Sequence, residues 1–400
     1  MQRGSFQWMK SLNKSIILNK IRTSGSISRA DIAKETSLTP PTVGSIVKEL
    51  IEQGIVKEST QGISQGGRKP TMLVINNEEF FVIGMDAGPK TVDFLFTDLA
   101  GEKKSEFSIE LEKELSNEAF LSVLIDGVEQ MLQAVSQPKE KIIGIGVAMH
   151  GVVDVENGIG KYAPNLHLEN IPIKRVLEDR FDLTVKVEND ARAMALGESW
   201  FGGWEPTRSM VTVNIGRGIG AGIVLDGTLL HGEYDIAGEI GHMTLDLHGR
   251  LCECGSTGCF QTFASGPSIE QRVKEALVNG EKSRILELVD RNLDKITGEL
   301  VYKAASEGDA FALQIWNEVG TYVGVGLTNL IHIVNPSRIV LGGGVANAKP
   351  FLMDAIHTAI SERGLTNEVK QTKVEFSKLG KEAAALGAIA LLLVELFQLK

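Results

Sequence analysis

The sequence predicts an α/β protein in two parts, a small winged helix-turn-helix head followed by a larger body of two similarly designed α/β lobes. Three observations predict it: two short helical patterns split by a turn and followed by a basic hairpin, two strand, glycine-turn, strand segments that start about 130 residues apart, and an uneven distribution of charge. At roughly 100 to 200 residues per domain, 400 residues allow about two to four domains. A composition of 43% hydrophobic and 23% charged residues excludes fibrous, collagen-like and disordered chains. The net charge of −10 divides into +6 over residues 1–72 and −16 over the remainder. A basic head on an acidic body points to a polyanionic partner for the head.

The head is read from Ile27 to Val56. Ser28 is placed to cap one helix, with Ile32 and Ala33 inward, and Thr39 to cap a second whose first turn takes Pro40 or Pro41. In the second helix Val43, Ile46, Val47, Leu50 and Ile51 recur at helical spacing as the buried face. Thr42, Ser45 and Lys48 fall on the opposite face, suited to the major groove, so Arg29, Thr39, Thr42, Ser45 and Lys48 are the expected DNA contacts. Beyond Gly54 a hairpin with Gly66-Gly67-Arg68-Lys69-Pro70 at its tip reads as a wing, with Arg68 and Lys69 on phosphate or the minor groove. An earlier helix, around Asn13 to Thr23, completes a three-helix core. The alternative is a small helical protein-interaction module, which would need neither the wing nor the local positive charge.

In the body, Phe81 to Asp98 and Met210 to Asp226 each read as a strand, a glycine-rich turn and a second strand. The repetition suggests a duplicated fold with two facing lobes. Glycines at the turns (Gly88; Gly216, Gly218 and Gly220) would let backbone N–H groups approach phosphate oxygens, and Asp86 would hold a magnesium ion. Gly342 and Gly343, between a strand and a helix, would lie against a nucleotide. Each glycine cluster is also explained as a plain tight turn. Asn189-Asp190 sits where a strand, Leu183 to Val187, gives way to a helix, Ala191 to Ser199. Asp190 reads there as a proton acceptor for a sugar hydroxyl or as a helix cap.

The three cysteines all lie within Cys252 to Cys259, too close for a disulfide framework. With His242 they make four ligands in 18 residues, the set for a closed, structural zinc site. A reactive cysteine is the alternative, and no nearby base is arranged for it. The apolar stretch Ala383 to Phe397 reaches only about 22 Å as a helix and is expected to be buried rather than to cross a bilayer. Met1 to Lys20 has no apolar run of secretory length, so the protein is expected in the cytoplasm.

Over residues 13 to about 395 the sequence resembles the ROK family of repressors, open reading frames and sugar kinases. SISRADIAKETSLTPPTVGSIVKEL, GGRKPTMLVIN, VENDARAMALGE and GEIGH followed by LCECGSTGCFQ carry the resemblance. The head places it with the repressor branch, of the xylose and N-acetylglucosamine type. The resemblance implies an actin-like, sugar-kinase fold with a sugar in the cleft between lobes. The implied domains are 1–76, 79–200 with 383–400, and 201–382. It further implies sugar contacts at Gly151, Asn165, Asn189, Asp190, Glu239, His242 and Gln261, with Asp190 the catalytic base in kinase members and His242 also a zinc ligand.

Four positions depart from the kinase pattern. Pro89 removes an N–H at the first glycine turn, and Arg217 puts a long cation in the second. His150 stands where kinases carry proline, and Gln261 replaces a glutamate. The expectation is a sugar-responsive repressor, a homodimer on operator DNA, in which sugar binding is retained and ATP and magnesium binding are eroded. A working sugar kinase with a DNA-binding head is the competing reading, and a DNA-binding protein that senses no small molecule is the third.

Overall fold

The head folds where its caps place it. Helix α1 (Leu12–Ser24) is followed by α2 (Arg29–Thr36) and α3 (Pro40–Glu52). Ser28 Oγ accepts the Asp31 N–H at 3.2 Å and Thr39 Oγ1 accepts the Thr42 N–H at 3.4 Å. Ile17, Leu18 and Ile21 of α1, Ile32 of α2, and Val43, Val47 and Leu50 of α3 are all fully buried. Each removes apolar surface worth roughly 1.5–3 kcal/mol from water. Ile46 and Ile51 are only half-buried. The inward stripe of α3 is therefore the single line i, i+4, i+7, narrower than the sequence pattern predicts.

The wing is an antiparallel pair, β2 (Val56–Gln61) and β3 (Thr71–Ile75), with Val56 opposite Ile75; the other edge of β3 takes the short strand β1 (Ile27–Ser28). The computed structural model describes residues 12–61 and 70–397. Arg68 and Lys69, assigned above to the wing tip, lie outside the described residues.

The body contains two five-stranded sheets with one design. In the first, β4 (Phe81–Ala87), β5 (Thr91–Asp98) and β6 (Lys103–Glu110) form an antiparallel meander. The other edge of β4 pairs in parallel with β7 (Ile142–Met149), which pairs in parallel with β11 (Thr184–Asn189). A small sheet of β8 (Val152–Asp154), β9 (Ile159–Ala163) and β10 (Leu168–Ile171) lies between β7 and β11 in sequence. In the second, β12 (Ser209–Ile215), β13 (Ile219–Leu225) and β14 (Thr228–Leu229) form the meander, and β15 (Arg338–Gly342) and β16 (Lys373–Phe376) add in parallel beside β12. The strand orders, β11-β7-β4-β5-β6 and β16-β15-β12-β13-β14, match position for position. The duplication suggested by the two glycine-turn hairpins is thus a duplication of topology.

The chain divides into two units, Met1–Ala193 with Ala384–Lys400, and Met194–Ala383, each with its own apolar core. In the first unit the C-terminal helix (Ala383–Phe397) packs on the sheet because two strand positions have no side chain: a Cβ on Gly84 would come 2.5 Å from Ala385 O, and one on Gly146 1.9 Å from Ala388 O. Its alanines and all its leucines but the half-buried Leu391 are buried, as the sequence predicts. No helix among the described residues is long and apolar enough to cross a membrane.

Candidate functional site

Three parallel strands of the first unit end side by side. Ala87 and Asn189 both pair with Met149, so Asp86, His150 and Asp190 gather at the carboxyl ends of β4, β7 and β11, the edge where α/β sheets usually bind ligands. The His150 N–H donates to Ala87 O at 3.1 Å, fixing that backbone to the end of β4. Helix α4 (Asp190–Phe201) starts at the last position, and β11 runs two residues further than the sequence pattern suggests, up to the helix itself.

The cap role at this turn belongs to Asn189, whose Oδ1 accepts the Arg192 N–H at 3.1 Å. The Asn189 amide nitrogen donates to Gly151 O and to Asp190 Oδ1, both at 2.9 Å, which accounts for both of its hydrogens. Asp190 Oδ1 also accepts the Ala191 N–H at 2.9 Å. Asp190 Oδ2 instead faces His150 Nδ1 at 3.5 Å, and on the far side of the ring His150 Nε2 lies 2.8 Å from Asn165 Nδ2. Gly151 holds φ +99°, and a side chain there would strike Tyr162 O. The structure therefore brings together Gly151, Asn165, Asn189 and Asp190, four predicted sugar contacts, and adds His150. The sequence had marked His150 only as a departure from a pattern. Burial, the Asp190 carboxylate and then Asp93 push the Asp86 carboxyl up to about 8, with His150 acting in the opposite direction. Burial and these carboxylate neighbours disfavour the ionised form, which a bound cation would favour.

In the second unit the GEIGH segment is pressed onto β13 through its two glycines. A Cβ on Gly238 would lie 1.9 Å from Ala221 O, and one on Gly241 2.1 Å from Ile219 O. Glu239 and His242 are displayed from that clamped turn. His242 Nδ1 stands 3.8 Å from Cys252 Sγ, Cys254 Sγ 3.7 Å from Cys259 Sγ, and all four ligand atoms lie within 4.8 Å of one another. Ligands about 2.3 Å from a tetrahedral zinc are separated by about 3.8 Å, so the donor set and its spacing fit a four-coordinate metal. With Nδ1 turned to this cluster, His242 keeps Nε2 for another partner. The Ser256 backbone N–H holds the Cys254 thiol down to about 7, whereas burial pushes Cys259 up to about 12. Gln261 Nε2 approaches Cys252 Sγ at 3.5 Å, so this predicted sugar contact also supports the cluster.

A profile of the ROK family matches residues 82–395, and a winged helix-turn-helix DNA-binding profile matches residues 15–57. The chain belongs to the ROK family. It is 32% identical over 393 residues to a xylose repressor of Caldicellulosiruptor bescii, covering 98% of each chain. It is also 32% identical over 390 residues to the DNA-binding transcriptional dual regulator NagC of Escherichia coli, covering 98% of this chain and 94% of that protein. A crystal structure of a ROK family transcriptional regulator, a homologue of the E. coli MLC protein, superposes with a TM-score of 0.84 at 29% identity over 96% of both chains. A ROK family glucokinase from Streptomyces griseus, in complex with glucose and AMPPNP, superposes at 0.70 and 28% identity over 78% of this chain and 98% of that one. The two-lobed ROK fold and its winged head, expected from the sequence, are both present.

In the second unit two of the predicted nucleotide turns of this ROK chain end side by side: Asn214 pairs with Gly342, and a Cβ on Gly343 would come 2.5 Å from Ile215 O, next to Gly216. Gly342 and Gly343 line a cavity of about 700 Å³ at the carboxyl ends of β15 and β16, with Trp204, Asn347, Phe376 and Lys378. Gly216, Gly218 and Gly220 of the same unit are not among its lining residues. In the two glycine turns the Gly88 N–H is already donated to Thr91 O at 3.0 Å and the Gly216 N–H to Gly218 O at 2.9 Å, so neither is left for a phosphate.

In the ROK head, Ser45 and Lys48 are exposed along α3, and Lys48 Nζ lies 3.8 Å from Glu52. The Thr39 and Thr42 hydroxyls are 2.8 Å apart at the helix start. Arg29 pairs with Glu58 of the wing strand at 2.8 Å, a contact the sequence pattern did not signal because the residues are 29 apart.

Proposed function

We propose that this ROK protein is a sugar-responsive transcriptional repressor of carbohydrate-metabolism genes. The observation that carries the reading is a winged helix-turn-helix and a ROK body in one chain, aligned over 98% of its length with proteins named xylose repressor and N-acetylglucosamine repressor. The glucokinase covers only the body. Residues 1–76 would hold the operator, with 79–200 plus 383–400 and 201–382 as the two halves of the sensing body. On the head, Arg29, Thr39, Thr42, Ser45 and Lys48 of the helices and Arg68 and Lys69 of the wing would make the DNA contacts. Gly151, Asn165 and Asp190 would contact the sugar, with Asn189 at the same turn, and by family resemblance so would Glu239, His242 and Gln261. Zinc on His242, Cys252, Cys254 and Cys259 would supply structural cross-linking of a loop with little apolar core, without catalysis.

A sugar alters operator affinity only by its differential affinity for two conformations, typically about 1–3 kcal/mol of coupling. Two heads in a homodimer would read two half-sites, and a change in their spacing would release DNA. The setting would be the cytoplasm. A kinase reading rests on Asp190 and on the cavity beside Gly342; the spent Gly88 and Gly216 N–H groups weigh against phosphate binding at the two glycine turns.

Fluorescence anisotropy on a duplex from the gene's own upstream region, at fixed salt, tests the reading. D-xylose, D-glucose and N-acetyl-D-glucosamine are titrated with and without ATP and magnesium. One sugar shifting operator affinity without ATP is the expected result. No specific DNA binding, or ATP turnover with a sugar well above background, would reject it.

A further inference from the structure

The hydrogen bonds of Asn165, Asn189 and Asp190 beside His150 constrain what a ligand meets. An amide nitrogen only donates, so Asn165 Nδ2 at 2.8 Å makes His150 Nε2 an acceptor. The neutral ring then carries its hydrogen on Nδ1, which faces Asp190 Oδ2. Asp190 Oδ1 already accepts from the Asn189 amide and from the Ala191 N–H, filling its two lone-pair directions. Asn189 has both amide hydrogens and its oxygen engaged within the chain. Among the described residues, the acceptors left here are Asp190 Oδ2, which His150 Nδ1 approaches at 3.5 Å, and the side-chain oxygen of Asn165, whose amide is oriented by His150.

We propose that His150 is a positioning residue that sets the specificity of the sugar site, fixing Asp190 and Asn165 as a pair of acceptors for two hydroxyl donors of the ligand. The proposal rests on the sugar-sensing reading. His150 links two side chains 25 residues apart in sequence and is itself anchored through its backbone to Ala87. Without the imidazole the Asn165 amide turns freely and presents N–H or C=O alike, so a ligand lacking a donor is no longer penalised. A site built around hydroxyl donors rejects analogues that lack them, because its buried acceptors stay unpaired.

The test is calorimetry with whichever of D-xylose, D-glucose and N-acetyl-D-glucosamine binds the wild-type protein, and with its single-site deoxyfluoro analogues, which accept but do not donate. Wild type should bind its weakest analogue about 30-fold or more below the parent sugar. His150→Ala should reduce that ratio to about threefold, and His150→Gln, whose amide accepts at one end and donates at the other, should recover part of it. A His150→Ala protein that discriminates as wild type does overturns the proposal and leaves sugar sensing intact. Binding of no sugar by wild type overturns both. Independently of any variant, nitrogen-15 spectra of the wild-type histidines should show His150 as the Nδ1–H tautomer; an Nε2–H form would overturn the assignment.

Discussion

Glu188 Oε1 lies 2.7 Å from Arg192 Nε with neither side chain reached by solvent, and the same oxygen accepts the Asn189 N–H at 2.8 Å. This ion pair spans one helical turn across the point where β11 becomes α4, so it braces the backbone that carries Asn189 and Asp190. Removing one partner of a buried pair strands a charge, whereas removing both does not. Arg192→Leu should cost about 3–5 kcal/mol in urea unfolding of the first unit, and Glu188→Gln with Arg192→Leu should cost clearly less. A single variant as stable as wild type would show that the pair braces nothing.

If the His242, Cys252, Cys254 and Cys259 cluster holds zinc as proposed, it should respond as a closed site. Cys254→Ser removes one of four ligands from a set whose atoms all lie within 4.8 Å of one another. Zinc measured by atomic emission should fall from about one per chain to a small fraction, with a lower melting temperature and a lost sugar response. Full sugar response in a metal-free Cys254→Ser protein would remove the structural role.

Backbone clearance at the GEIGH turn gives a separate test. Gly238→Ala puts a methyl 1.9 Å from Ala221 O and keeps φ at +97°, so the turn must lift from β13. Reduced zinc retention under a chelator, by tenfold or more, is expected although no ligand is changed. Retention equal to wild type would mean the clamp does not position His242.

Asp86 predicts a pH dependence with a definite sign. Its carboxyl is pushed up to about 8 by burial and by Asp190 and Asp93, while in the unfolded chain it titrates near 4. Between those values the unfolded state has released a proton that the folded state keeps, so its contribution is intact below about pH 4 and is lost as pH rises through about 8. Asp86→Asn carries no such penalty. Its melting temperature should exceed wild type by a few degrees at pH 8.5 and converge with it toward pH 4. A constant difference across the range would contradict the shift.

On the head, Lys48 is exposed on the face of α3 opposite Val43, Val47 and Leu50. Lys48→Ala should weaken operator binding about evenly across sequences and reduce the slope of log affinity against log salt by about 1. Ser45→Ala should act on sequence preference more than on the salt slope. An unchanged slope in Lys48→Ala would take that residue off the phosphates.

Local chemistry was legible in the order of residues. Ser28, Thr39 and Pro40 announced two helix starts because caps depend on neighbours three positions away. The type and spacing of His242, Cys252, Cys254 and Cys259 announced that their side chains would cluster, and the repeated hairpins declared a doubled topology. Tertiary structure alone decided that Asp86, His150 and Asp190, 104 residues apart from first to last, share one edge. Parallel strands acquire their neighbours through long crossovers, and a single sequence does not encode their register at short range. The same holds for Gly84 and Gly146, whose missing side chains make sense only once Ala385 and Ala388 lie against them. The hydrogen bonds that commit Asn189 to the chain and leave Asp190 Oδ2 facing His150 follow from that convergence, because donors and acceptors are counted only between atoms that meet.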